Sequence, residues 1–389
     1  MTPLFLLMLF PILTIVGMKI WRSEQFTWLE AGVQLLLTVV CVIGLYQGGR
    51  YSQMSSVEFW TGTVQSKAHD DGHYTTSYDC NCRESCSGSG SSRSCSTTCD
   101  TCYTDHYTRE WFLSTTIGQI ETSSIDTESR MRRNGFDSDQ HWNDAFPGEA
   151  CSKTNTYLNY VQAAEFSLHN RSGTSESFSK AGLLPKYPQI YGKYHLERVL
   201  DLGVGVPNVA QMSRGLDNYM KTLGGLKQIN IFLVFVPTTD PAYTGALEAH
   251  WRGANKNDTI IVVGVDKGTK DIGMVDVITW AKDPIYKLTL IDELMALKTL
   301  EGTFEAFLST VNETTLKLYE RRPMVEFEYL KDEIDPPTWV LVLCIIFAIP
   351  GSLALAYLFD RIDLATVFSR GGGRSFRRGS GIRIRRRRF

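Results

Sequence analysis

The sequence predicts a membrane-anchored α+β protein with three transmembrane helices, a cysteine-stapled β-ribbon region and an α/β domain built on a βαβ unit. Three observations carry this. Residues 339–359 hold no charge and match the length of a bilayer-spanning helix. Six cysteines crowd into residues 80–102 around a Gly/Ser tip that has no core of its own. Two almost wholly apolar runs, residues 229–236 and 259–265, flank a helical pattern, as buried parallel strands do.

The membrane segments come first. Residues 1–20 are apolar, with no basic residue ahead of them and no small-residue cleavage site behind, which argues for a retained helix over a cleaved signal peptide. A second helix is expected at 29–48; its apolar run, 31–46, is short and interrupted by Gln34. Trp28 and Tyr46 stand where interfacial aromatic residues belong. The third span is 338–359. Pro350 within it is tolerable because neighbouring groups can satisfy the backbone that a proline frees. Orientation follows from the basic flanks. Lys19 and Arg22 sit between the first two helices, and the tail 360–389 carries Arg370, Arg374, Arg377, Arg378, Arg383, Arg385, Arg386, Arg387 and Arg388. Short arginine-rich flanks stay in the cytoplasm, so residues 50–336 are expected outside it, on an inner (plasma) membrane protein. The net charge is −2, and without those nine arginines it is −11, so a mildly acidic body carries a basic tail.

Residues 50–125 form the β-rich region. Residues 57–65, 74–78 and 103–113 are rich in β-branched and aromatic side chains, a strand signature. Between the last two lie Cys80, Cys82, Cys86, Cys95, Cys99 and Cys102. Outside the cytoplasm such a cluster is a disulfide framework whose pairing the spacing leaves open. In a reducing compartment Cys99-x-x-Cys102, flanked by His73 and His106, suggests zinc instead. Cys151 is either free or ties the next segment to the ribbon. Cys41 and Cys344 fall in membrane runs and read as small apolar fillers.

Residues 126–209 read as a connecting region, with a polar stretch at 121–150 and a short helix at 156–169. Asn170, Asn257 and Asn312 each open a glycosylation triplet. The α/β domain, 210–332, is expected to run as a helix stopping at Gly224-Gly225, a strand at 229–236, a helix at 242–252, strands at 259–265 and 273–279, helical spacing from Ile291 to Val311 broken at Gly302, and an edge strand at 324–329.

The strand 229–236, the helix ending Trp251-Arg252-Gly253 and the Asn257-Asp258 turn feeding the next strand resemble the TPM-domain family of membrane-anchored extracytoplasmic α/β domains. The resemblance covers residues 210–320, and Thr259 stands where that family has a glycine. It implies a phosphatase-like hydrolase as one function, with a divalent cation. The paired N-terminal runs, the ribbon YDCNCRESCSGSGSSRSCSTTCDTCY and the single C-terminal span also resemble a group of membrane proteins of large tailed bacteriophages. That likeness implies a host inner membrane and a periplasmic domain.

No phosphate loop, nucleophile elbow or HExxH occurs. Gly203-Val204-Gly205 reads as a turn. Asp240 and Asp266 follow the two apolar strands, at the end where open α/β sheets bind ligands, and Asp258 precedes the second; together they are the candidate ligands for a divalent cation, against the plainer reading of surface turns. The leading functional expectation is an extracytoplasmic interaction protein with an unidentified protein partner and no cofactor, the hydrolase being the alternative. For the tail, anionic membrane lipids are the expected partner, with nucleic acid as the competing one.

Overall fold

The computed structural model describes residues 2–21, 26–88, 93–128, 140–164 and 176–361. In chain order it holds α1 (Thr2–Trp21), α2 (Trp28–Met54), β1 (Ser55–Ser87), β2 (Ser94–Thr115), β3 (Gly118–Thr127), β4 (Ala150–Leu158), β5 (Ile190–Tyr191), β6 (His195–Leu196), β7 (Val199–Asp201), α3 (Val209–Lys227), β8 (Asn230–Val236), α4 (Ala242–His250), β9 (Asp258–Val265), β10 (Ile272–Thr279), α5 (Pro284–Met295), α6 (Phe304–Leu318), α7 (Thr338–Ile346) and α8 (Ser352–Arg361), besides a few short helical turns. The chain divides into two compact units, Met1–Ser56 with Leu158–Ser167 and Phe327–Phe389, and Val57–Tyr157 with Leu168–Glu326.

The first unit is helical. Its α2 and the continuous Thr338–Arg361 helix are long and apolar enough to cross a membrane, while α1 counts as a shorter apolar helix, Leu6–Trp21. Thr27 caps α2 through a reciprocal pair with Glu30, each side chain holding the other's backbone N–H. The helix then runs past the polar stretch at 47–51 where its end was expected. Arg50, buried on that last turn, donates to the Ile334 carbonyl at 2.9 Å, which gives a charged residue a reason to stay helical there. Pro350 lacks an N–H, and the ladder answers with a π-helical turn, Phe347–Gly351, joining α7 to α8. Val42 and Tyr46 pack on Val340, Cys344 and Ala348, while Gln34 donates to the Ser352 carbonyl at 2.9 Å.

The second unit carries two four-stranded sheets. One, ordered β3-β2-β1-β4, contains the ribbon; the other, β10-β9-β8-β7, is the α/β sheet. β7, β8 and β9 are parallel and β10 runs antiparallel to β9. Along β8 the side chains alternate: Ile231, Leu233 and Phe235 join one core with α3, α5 and α6, whereas Phe232, Val234 and Val236 join a second with Tyr243 and Leu247 of α4. Burial on both faces is why these strands carry no polar alternation.

Several sequence expectations need correcting. The strands at 57–65 and 74–78 are one continuous β1, because Asp70, Asp71 and Gly72 stay paired with β2 through Glu110, Arg109 and Thr108. The connection expected at 121–150 begins inside β3, which runs from Gly118 to Thr127 and whose hydroxyl-rich sequence suits an exposed sheet edge. Residues 150–158 are strand where a helix from 156 was expected, and helix is confined to Tyr160–Ala163 within the described part of that segment. The region 126–209 supplies β4 to one sheet and β7 to the other. Gly224-Gly225 lies inside α3, since a Cβ at Gly224 would fall 2.4 Å from the Thr61 carbonyl oxygen; the glycine is there for close approach. Residues 324–329 are part of a 3₁₀ helix, Met324–Glu333, and β7 with β10 form the sheet's edges. Asn257 is fully buried and donates to the Phe59 carbonyl at 2.7 Å, so its glycosylation triplet is closed; Asn170 lies outside the described residues.

Candidate functional site

The cysteine ribbon begins where β3 ends. β3 pairs with β2 as far as Tyr107 opposite Thr127, and beyond that β1 and β2 continue alone for about 45 Å. The six cysteines form three nested disulfides, Cys80–Cys102, Cys82–Cys99 and Cys86–Cys95. Cys86 and Cys95 are direct cross-strand partners. Between Cys80 and Arg83 the register shifts, and Asn81 turns with φ +48°. That bulge brings Cys82 and Cys86 into line with Cys99 and Cys95, whereas Cys80, before it, reaches Cys102 diagonally past its register partner Asp100. Nearer the body the strands are held by polar pairs. Arg109 takes both carboxylate oxygens of Asp71 at 2.6 and 2.9 Å, and Thr75 donates to Asp105 at 2.8 Å. Tyr74 stacks on His106 and donates to Asp126 at 2.6 Å, while the His106 ring lies 3.3 Å from the same carboxylate. The Tyr74 hydrogen bond, then the histidine, holds the Asp126 carboxyl below its ordinary range.

Disulfide bonding answers the zinc alternative at the cysteines. Among the described residues, the metal-spaced group is Glu84 with Cys86 and Cys95, and the two sulfurs there are bonded to one another. Cys151 is free and buried, its thiol pushed up to about 11 by burial, as expected of an inert core cysteine.

The three aspartates are not brought together. Asp240 and Asp266 lie at the carboxyl end of the α/β sheet, each engaged by its own turn. Asp240 accepts the Ala242 N–H at 2.9 Å, and Asp266 accepts those of Gly268 and Thr269 at 2.8 and 3.0 Å, which holds its carboxyl down. Asp258 is the first residue of β9, roughly 25 Å along the strand from Asp266, so one ion cannot take both. At the same carboxyl end, Asp201 accepts the N–H groups of Gly203, Val204, Gly205 and Val206, closing the glycine turn on itself. The tail arginines lie outside the described residues.

Sequence reasoning missed the buried polar cluster at the amino end of the parallel strands. Asn230 and Asp258 are register partners at the starts of β8 and β9, and the Asn230 amide donates to Asp258 at 2.9 Å. Tyr187 and the Asn255 N–H donate to its other oxygen at 2.5 and 2.9 Å. Burial nevertheless lifts the Asp258 carboxyl to about 6. Arg198, fully buried, pairs with Asp217 at 2.9 Å and donates to Asn230, to Thr61 of β1 at 2.5 Å and to Ser152 of β4 at 3.0 Å. Beside it, Arg321 grips both oxygens of the buried Glu58 at 2.7 and 2.8 Å. One guanidinium therefore ties both sheets together, so the ribbon's base is fixed to the α/β core. The available signal was an Asn and an Asp opening two otherwise apolar strands.

No protein-family model, curated protein or solved structure matches the chain.

Proposed function

We propose that the chain is a membrane-anchored interaction protein that holds residues 57–326 outside the cytoplasm, with the stapled ribbon as its recognition arm. The observation that carries this reading is the ladder of three disulfides in an exposed two-stranded segment. Disulfides persist in oxidising compartments, which supports an extracytoplasmic side for the ribbon, and the apolar helices supply the anchor. Staples there add rigidity to a segment that buries almost nothing, and rigidity lowers the ordering cost of binding. Tyr78 and Tyr103, both exposed near the staples, have the amphipathic character of interface anchors. On the likeness to phage-encoded membrane proteins, the outer side would be a periplasm.

The test is photocrosslinking in cells that express the full chain. A photoreactive residue at position 103 on the ribbon should trap a discrete protein that the same residue at position 226, equally exposed on α3, does not. No adduct at 103, or the same adducts at both positions, contradicts the assignment.

A further inference from the structure

Between α1 and α8 runs a groove of about 580 Å³, lined among others by Leu13, Gly17, Trp21, Leu353, Ala356 and Asp360. Its walls are almost wholly apolar, and it is open at Gly17, where an added Cβ would meet nothing within 4 Å. Asp360 stands at one end. Its Oδ1 is sealed from solvent and has no hydrogen-bond partner among the described residues. The adjacent Arg361 directs its guanidinium to Tyr357, donating to the hydroxyl and lying 4.8 Å from the ring centre. Asp360 itself is only half-buried and lines the groove, so its carboxylate presents a negative charge to an occupant at that end.

We propose that this groove binds a phospholipid with a primary ammonium headgroup, phosphatidylethanolamine, one acyl chain lying along Leu13, Gly17 and Leu353 and the ammonium pairing with Asp360. The inference rests on the membrane placement proposed above, under which the headgroup belongs to the inner leaflet. Charge selects the class, since an anionic headgroup would meet a carboxylate. Hydrogen bonding selects within it: a primary ammonium brings three donors to the Asp360 carboxylate, whereas a quaternary choline brings none. Trp21 lies at the same end, where amphipathic rings sit at headgroup level.

The experiment uses the full chain in nanodiscs made from equal parts phosphatidylethanolamine, phosphatidylcholine and phosphatidylglycerol with identical acyl chains, read by native mass spectrometry. The wild type should retain phosphatidylethanolamine roughly tenfold over phosphatidylcholine, the worth of one charge-assisted hydrogen bond. Asp360→Asn should retain lipid without headgroup preference. Gly17→Leu, which fills the groove from an open position, should retain none. A wild type indifferent to headgroup, retention unchanged in Gly17→Leu, or a lipid-free dimer that Gly17→Leu dissolves would each overturn the proposal. Release of the chain from membranes by alkaline carbonate would overturn the placement and this proposal with it, whereas a retained chain lacking headgroup preference overturns this proposal alone.

Discussion

Asp258 should make the second unit less stable as pH rises, against the usual behaviour of carboxylates. Its carboxyl is lifted from 3.8 to about 6, with burial the largest cause, and its three donors only partly offset this. The folded state therefore holds the proton more tightly than the unfolded chain. The stability this contributes is fully present below about pH 4 and is lost as pH passes through about 6. A lift of that size corresponds to about 3 kcal/mol. The perturbation is Asp258→Asn, which removes the titration while nearly keeping the shape. Its amide must face donors, because Asn230 is held in place by Arg198 and cannot turn over without losing that bond. The variant is thus less stable in absolute terms, but by an amount that does not titrate. The assay is thermal unfolding of the full chain in detergent from pH 4 to 7.5, followed by the fluorescence of Trp251 and Trp280, both buried in the second unit. Relative to the variant, the wild type should lose about 3 kcal/mol across that range, or roughly 5–10 °C in Tm. Asp217 is also lifted by burial, but it is common to both proteins and cancels. Parallel curves would refute the reasoning, and a wild type that gains on the variant with rising pH would show that the donors outweigh burial.

Three further outcomes follow from the same geometry. Arg198→Met should cost about 3 kcal/mol or more in unfolding experiments, because Asp217, Asn230, Thr61 and Ser152 lose a shared donor, and Asp217→Asn should cost less since a hydrogen bond to Arg198 survives. Gly224→Ala should destabilise by roughly 1–3 kcal/mol through the Thr61 carbonyl, whereas Gly225→Ala, whose Cβ meets nothing, should be neutral or mildly stabilising. Replacing Cys86 and Cys95 together by serine removes roughly 2.5 kcal/mol of loop constraint; hydrogen exchange should then quicken at the ribbon tip and stay unchanged in β8 and β9.

What the sequence revealed and what it hid divide along physical lines. β8 and β9 were legible because a strand buried on both faces must be apolar at every position. Gly302 does fall between α5 and α6, but α5 already ends at Met295, so Leu297 and Leu300, expected on the same helical stripe, belong to the connection. The full length of β1 was hidden: its outer part buries little, so Asp70, Asp71 and Gly72 carry no strand pattern and are held by cross-strand partners that local sequence does not display. Gly224-Gly225 looked like a helix stop because a glycine required for close packing and one required for a turn are the same letter. Of the sites, the cysteines announced themselves by crowding. Their pairing depended on the bulge at Asn81. Arg198 and Asp258 looked ordinary because what distinguishes them is burial, a property of the fold.

The most direct test of the account is the sidedness of the ribbon. Intact cells expressing the full chain are treated with a membrane-impermeant reductant and then with an impermeant thiol reagent. The account predicts labelling at the six ribbon cysteines without lysis, with the buried Cys151 protected until the protein is unfolded. Labelling of the ribbon only after lysis would contradict the extracytoplasmic placement on which the proposed function rests.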